Sequence, residues 1–193
     1  MSELVFQIAD DIDADKLAHV ASKAIYEIPS TTNQWQITSK DGLDNWDASD
    51  NSDPEAYCVI NNLFKNTYIH ELINRWPEYY NWRIMGLNIR HIYSVHRDGN
   101  ITPENDGSYT ITFSKRIHIP IITNPECFLI YFPDLEKPRL TEGEHRIITY
   151  YMKEGHAYSM DASNSFHTAT NLSNQSSRYH LIGETLERKN VKQ

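Results

Sequence analysis

The chain has 193 residues, of which 39% are hydrophobic and 23% charged, and its formal net charge is −8. Such a composition belongs to a globular chain able to bury a core without staples, and its acidic balance speaks against a sequence-independent grip on nucleic acid, which needs a cationic footprint. No run approaches the roughly 20 apolar residues of a membrane helix. No apolar leader follows Met1-Ser2-Glu3, and Cys58 and Cys127 lack CxxC spacing, so the expectation is one cytoplasmic domain over 1–193 with two free thiols.

Residues 4–8 form a short apolar run that predicts a strand. Residues 13–28 predict a helix, capped by Asp13 or Asp15, with Leu17, Val20, Ala21, Ala24 and Ile25 at helical spacing. Residues 30–53 are polar and predict a long loop, with Trp35 and Trp46 packed on the domain or lining a substrate path. Asp53-Pro54-Glu55 predicts a second helix start, and an apolar stripe from Ile60 to Ile73 carries that helix to about Trp76.

From residue 82 the period changes to two. Strands are predicted over 83–95, 110–122, 126–132, 145–152, 156–161 and 178–183. They are separated by turn residues such as Asp98-Gly99-Asn100, Asp106-Gly107 and Glu154-Gly155. The charged tail, 187–193, is expected to fray. Two helices followed by short strands indicate an α+β, mainly β fold. It has a helical lead-in over 1–80 and an antiparallel sandwich or barrel over 82–185.

Three features carry chemistry. His96 and Asp98 stand two apart at a predicted strand end, so both side chains leave one face about 6.6 Å apart. With a second imidazole from a distant segment they would make the 2-His-1-carboxylate set of non-haem Fe(II) oxygenases, with three positions left open. Alone the pattern is weak, because Asp98-Gly99 also reads as an ordinary turn. His167 supplies a distant imidazole, and eleven residues later Arg178 offers a fork suited to a carboxylate. Within 110–122 one parity is mostly apolar, with Ile111, Phe113, Lys115, Ile117, Ile119 and Ile121. The other carries Arg116 and His118. Such a polar face either meets water or lines a site, and Arg178-x-His180, which repeats the pattern on a second strand, favours the site. His19, His70, His91, His145 and His156 are read as surface or packing groups.

The pieces Tyr93-Ser-Val-His96-Arg-Asp98, Arg116-Ile-His118-Ile-Pro-Ile-Ile-Thr-Asn124-Pro125, and Glu154-Gly155 through Asp161 to His167, Asn171 and Arg178-Tyr-His180 resemble the aspartyl/asparaginyl β-hydroxylase family of Fe(II)/2-oxoglutarate-dependent oxygenases. They span 83–184, about half the chain. The resemblance implies a double-stranded β-helix, or jelly roll, with the N-terminal helices packed on it. It implies iron on His96, Asp98 and His167, with 2-oxoglutarate and O₂ as co-substrates. It implies 2-oxoglutarate held by Arg178, with Arg116, His118 and His180 contributing. Asn171 is read first as a turn residue. A carboxylate at Asp98 implies hydroxylation, because related halogenases lose it. The expected substrate is an amino acid or an Asp/Asn-type residue in a short peptide. Two alternatives stay open: a cupin-like metal protein or isomerase without 2-oxoglutarate, and a non-catalytic jelly-roll binding module. The insert 99–109 reads as a lid or a solvated hairpin, and the oligomeric state is left open.

Overall fold

The computed structural model describes residues 4–43, 54–99, 101–103, 108–134, 146–163 and 165–191. Strand β1 (Val5–Ala9) leads into helix α1 (Ala14–Glu27). Asp13 caps the helix, its Oδ1 accepting from the Lys16 N–H at 3.0 Å. The helical spacing places Leu17, Ala21 and Ala24 on one buried face. Short strands β2 (Gln34–Gln36) and β3 (Thr38–Ser39) follow, inside the expected loop. Trp35 is buried, and its indole N–H donates to the Ile28 carbonyl at 2.9 Å; Trp46 lies outside the described residues.

The long second helix is corrected. Its described part is a 3₁₀ turn at Pro54–Ala56, strand β4 (Val59–Ile60), a 3₁₀ turn at Asn62–Phe64 and a short helix α2 (Tyr68–Ile73). Asn61 explains the break. Its side chain is fully buried, donates to the Gln36 carbonyl at 2.8 Å and accepts from Ser39 Oγ at 2.6 Å. Those bonds, with β-branched Val59 and Ile60 paired to β3, outweigh the helical stripe.

The remaining strands are β5 (Tyr80–Leu87), β6 (His91–Ile92), β7 (Ile101–Pro103), β8 (Tyr109–Ile122), β9 (Cys127–Phe132), β10 (Ile148–Tyr150), β11 (Ala157–Asp161), β12 (Phe166–Asn171) and β13 (Arg178–Val191). The strand expected over 83–95 is two strands, because Arg90 turns the chain at φ 52°. The described part of the 99–109 insert pairs as a hairpin, Ile101 opposite Ile111. The tail is also corrected: β13 runs past Gly183 and stays paired with β8 out to Val191 opposite Tyr109.

All named pairings are antiparallel. One sheet runs β1-β11-β8-β13-β5-β2, with β7 also on β8; the smaller runs β10-β9-β12-β6. Alternation along the central strands gives the larger sheet two faces. Ile117, Ile119 and Ile121 of β8, Trp82 and Ile84 of β5 and Leu181 of β13 pack with Leu17, Ala21 and Ala24 of α1 on the outer face. Full burial of each such isoleucine contributes roughly 1.5–3 kcal/mol. The opposite parity faces the smaller sheet, where Val5, Tyr158 and Met160 meet Leu129 and Tyr131. Two antiparallel sheets closed over one another in this way are a jelly roll with helices on one side, as expected. Among the described residues no helix is long and apolar enough to cross a membrane.

Candidate metal centre

His96 lies in an extended segment between β6 and β7 and forms an antiparallel bridge with His167 of β12. The His96 N–H donates to the His167 carbonyl at 3.0 Å and the return bond is 2.8 Å. The bridge sets the two rings side by side, with centroids 4.5 Å apart. Asp98 is fixed two residues on by its N–H donating to the Ala162 carbonyl at 3.0 Å. Gly99 follows at φ 95°, and a side chain there would run into the Thr112 carbonyl, so the turn after Asp98 requires glycine.

His96, Asp98 and His167 each offer a ligand atom, and these atoms all lie within 4.8 Å of one another. The orientation of both imidazoles follows from local bonds. His96 Nδ1 lies 2.7 Å from the Ser94 carbonyl and His167 Nδ1 lies 3.1 Å from the Ser165 carbonyl. A carbonyl only accepts, so each Nδ1 carries the proton and each Nε2 keeps its lone pair. The Nε2 atoms sit 3.8 Å and 4.0 Å from the Asp98 oxygens. Burial pushes His167 down to about 4 against the opposing pull of Asp98, so its imidazole is neutral at pH 7, as a metal ligand must be. Asp98 Oδ2 is buried without a hydrogen-bond partner. Arg116 Nε approaches it to 3.0 Å, but out of line, as an ion contact rather than a hydrogen bond. Two imidazole nitrogens with free lone pairs and a carboxylate oxygen that accepts no hydrogen bond, gathered within 4.8 Å, fit a divalent transition metal of the Fe(II) type.

The cluster opens into a cavity of about 300 Å³ between the sheets, with an apolar wall of Met85, Leu87, Leu129, Ala169 and Ile182. Arg178 enters the same cavity and is 7% exposed. Its Nη2 lies 3.2 Å from His180 Nδ1, which lies 3.4 Å from His118 Nδ1. Arginine only donates, so His180 Nδ1 accepts and His118 Nδ1 carries its proton, leaving His118 Nε2 a buried acceptor without a partner. Burial, reinforced by Arg178, holds both histidines far below their usual range. Burial also lowers Arg178, to about 10, so it stays charged. Among the described residues no carboxylate forms an ion pair with it. A buried cation without a counter-ion, facing a cavity, is a receptor for an anion.

The structure therefore brings His96, Asp98, His167, Arg178, Arg116 and His118 to one cavity. Arg116 lies against Asp98, and His180 sits behind Arg178 outside the cavity lining. Asn171 bonds the carbonyls of Leu87 and Ser176 and accepts from the Ser173 N–H, the work of a turn residue. Of the other histidines, His19 and His91 are exposed, His70 Nδ1 accepts from the Asn66 N–H, His156 stacks on Tyr158, and His145 lies outside the described residues. Cys58 and Cys127 are free. Sequence reasoning missed Gln34, Arg83 and Met85 in the lining, and Glu184, which lies against the lining residues Arg83 and Arg116. For Glu184 the signal was present, as the strand parity of Arg178 and His180.

No protein-family model matches the sequence, and no curated protein matches it. Solved structures do. The viral collagen prolyl hydroxylase vCPH of Paramecium Bursaria Chlorella virus-1, in a 2OG complex, aligns with a TM-score of 0.51 at 10% identity, over 97% of this chain and 97% of that one. The non-heme alpha ketoglutarate dependent epimerase SnoN from nogalamycin biosynthesis gives 0.51 at 10% identity, over 96% and 78%. AviO1 from Streptomyces viridochromogenes Tue57 gives 0.50 at 11% identity, over 93% and 88%. At such identity the likeness is one of fold: this chain has the jelly-roll architecture of those proteins.

Proposed function

We propose that this chain is an Fe(II)- and 2-oxoglutarate-dependent oxygenase that hydroxylates an amino acid, either free or as an Asp/Asn-type residue in a short peptide. The observation that carries this reading is Arg178, a buried guanidinium with no carboxylate partner among the described residues, in the same cavity as three converging metal-ligand atoms. His96, Asp98 and His167 would hold the metal, and Arg178 would grip the far carboxylate of 2-oxoglutarate through its fork. Bound iron supplies the activation of O₂ that an unactivated C–H bond requires. The protein's own part is ligation, orientation and exclusion of water by the apolar wall. The motifs quoted above favour the aspartyl/asparaginyl β-hydroxylase branch, and the vCPH and SnoN folds support the wider class. Asp98 as a third ligand favours hydroxylation. A cupin-like protein without 2-oxoglutarate has no need of Arg178 at that offset from His167.

The test is anaerobic addition of Fe(II) and then 2-oxoglutarate. The expected result is a weak visible charge-transfer band, lost in Arg178→Ala while Fe(II) binding stays. Metal bound without a band would contradict the oxygenase reading, and loss of metal in Arg178→Ala would contradict the assignment of roles. Succinate release across free amino acids and a peptide pool then separates the two substrate classes.

A further inference from the structure

We propose that Glu184 is a positioning residue for the metal-binding carboxylate Asp98, acting through Arg116. The inference rests on the reading of His96, Asp98 and His167 as a metal centre. Glu184 is buried on β13 directly opposite Arg116 of β8. Its Oε2 lies 3.8 Å from Arg116 Nε, and that nitrogen lies 3.0 Å from Asp98 Oδ2. Its Oε1 accepts from Arg83 Nη1 at 3.3 Å and from Asn81 Nδ2.

The far end of this ladder is rigid. Asn81 stands at φ 50°, a backbone conformation Asn tolerates better than most residues. Its N–H donates to the Tyr57 carbonyl at 2.8 Å, and Gln36 Nε2 donates to its Oδ1 at 3.0 Å. Arg83 Nη1 also donates to the Asn81 carbonyl at 3.0 Å. Charges thus alternate, Arg83, Glu184, Arg116, Asp98, across three strands to the metal-ligand cluster. Buried ion pairs seldom add net stability over apolar packing. This ladder ends on a carboxylate oxygen with no hydrogen bond of its own, which is where a metal ligand needs orientation. Glu184 does not line the cavity, so its influence passes through Arg116.

The experiment measures Co(II) affinity and the Co(II) visible spectrum of wild type, Glu184→Gln, Arg116→Gln and the double variant. Each single variant is expected to lose affinity by roughly tenfold to a hundredfold, as outer ligand partners do, with an altered spectrum. The double variant should lose no more than Arg116→Gln alone. Wild-type affinity and spectrum in folded single variants, or losses that add, would overturn the inference while leaving the metal centre standing. A wild-type protein that binds no Co(II) overturns both. Should Glu184→Gln not fold, Arg116→Lys keeps the charge, loses the Nε that lies between the two carboxylates and is expected to weaken Co(II) in the same way; wild-type affinity there would overturn the role.

Discussion

His118 and His180 face one another inside the jelly roll, both almost fully buried and both neutral because burial and the Arg178 charge oppose protonation. In the unfolded chain each takes up a proton near pH 6.5. Below that pH the unfolded state binds more protons than the folded one, so stability is intact above about pH 7 and falls as pH drops toward the depressed folded values. Each histidine contributes a slope of up to about 1.4 kcal/mol per pH unit in that window. Urea midpoints of the metal-free protein are expected to fall between about pH 7 and pH 5, and His118→Asn should flatten that fall. Midpoints that rise on acidification would contradict the burial of neutral imidazoles.

At the same scale, legibility followed spacing. His96-x-Asp98 had local geometry behind it, and Arg178 stood at a fixed offset from His167. Glu184 was hidden because the predicted strand ended at Gly183. Continuing the parity of Arg178, His180 and Ile182 leads straight to it. Gln34 was hidden by a polar segment that pairs with β5 only in the folded sheet. What Arg116 faces depends on β8 register against β13, and register is set by tertiary pairing rather than by local sequence.

Among the elements, β8 was legible almost to the residue because its two faces differ so sharply. β12 was not, since Thr168, Thr170 and Asn171 are polar yet buried, and period-two hydrophobicity cannot mark such a strand. The helix expected after Asp53 failed for the opposite reason: apolar spacing suggested it, while the buried side chain of Asn61 found better partners in β2 and β3. The frayed tail failed because its charged residues ride on a paired ribbon. Within β13, Gly183 lies flush against the indole of Trp82, and the register against β5 slips between Ile182 and Glu184. Gly183→Ala puts a methyl into that ring. The expected effect is a loss of about 1–3 kcal/mol, as for other overpacked sites, seen as a lower urea midpoint. Unchanged stability would mean that β13 and β5 shift freely.

For the whole molecule, one sheet has two tasks. Its outer face packs under α1 and α2 and supplies most of the apolar burial, which leaves the inner face free to carry arginines, histidines and acids that no ordinary core would accept. The smaller sheet closes over them and brings His167 onto the His96 segment. The fold class was readable from the order of helices and strands, but the enclosure of the cavity was not, because it arises from strands distant in sequence.

Under the proposed function this cavity holds a metal and a dicarboxylate together, the second on Arg178. Calorimetry on Mn(II)-loaded protein checks this by comparing 2-oxoglutarate with 2-oxobutyrate, which lacks the far carboxylate. The expected result is tighter binding of 2-oxoglutarate by about tenfold or more, with the preference abolished in Arg178→Ala. Equal binding of the two acids by the wild-type protein, or a preference that survives Arg178→Ala, would overturn the role of Arg178 as the carboxylate anchor.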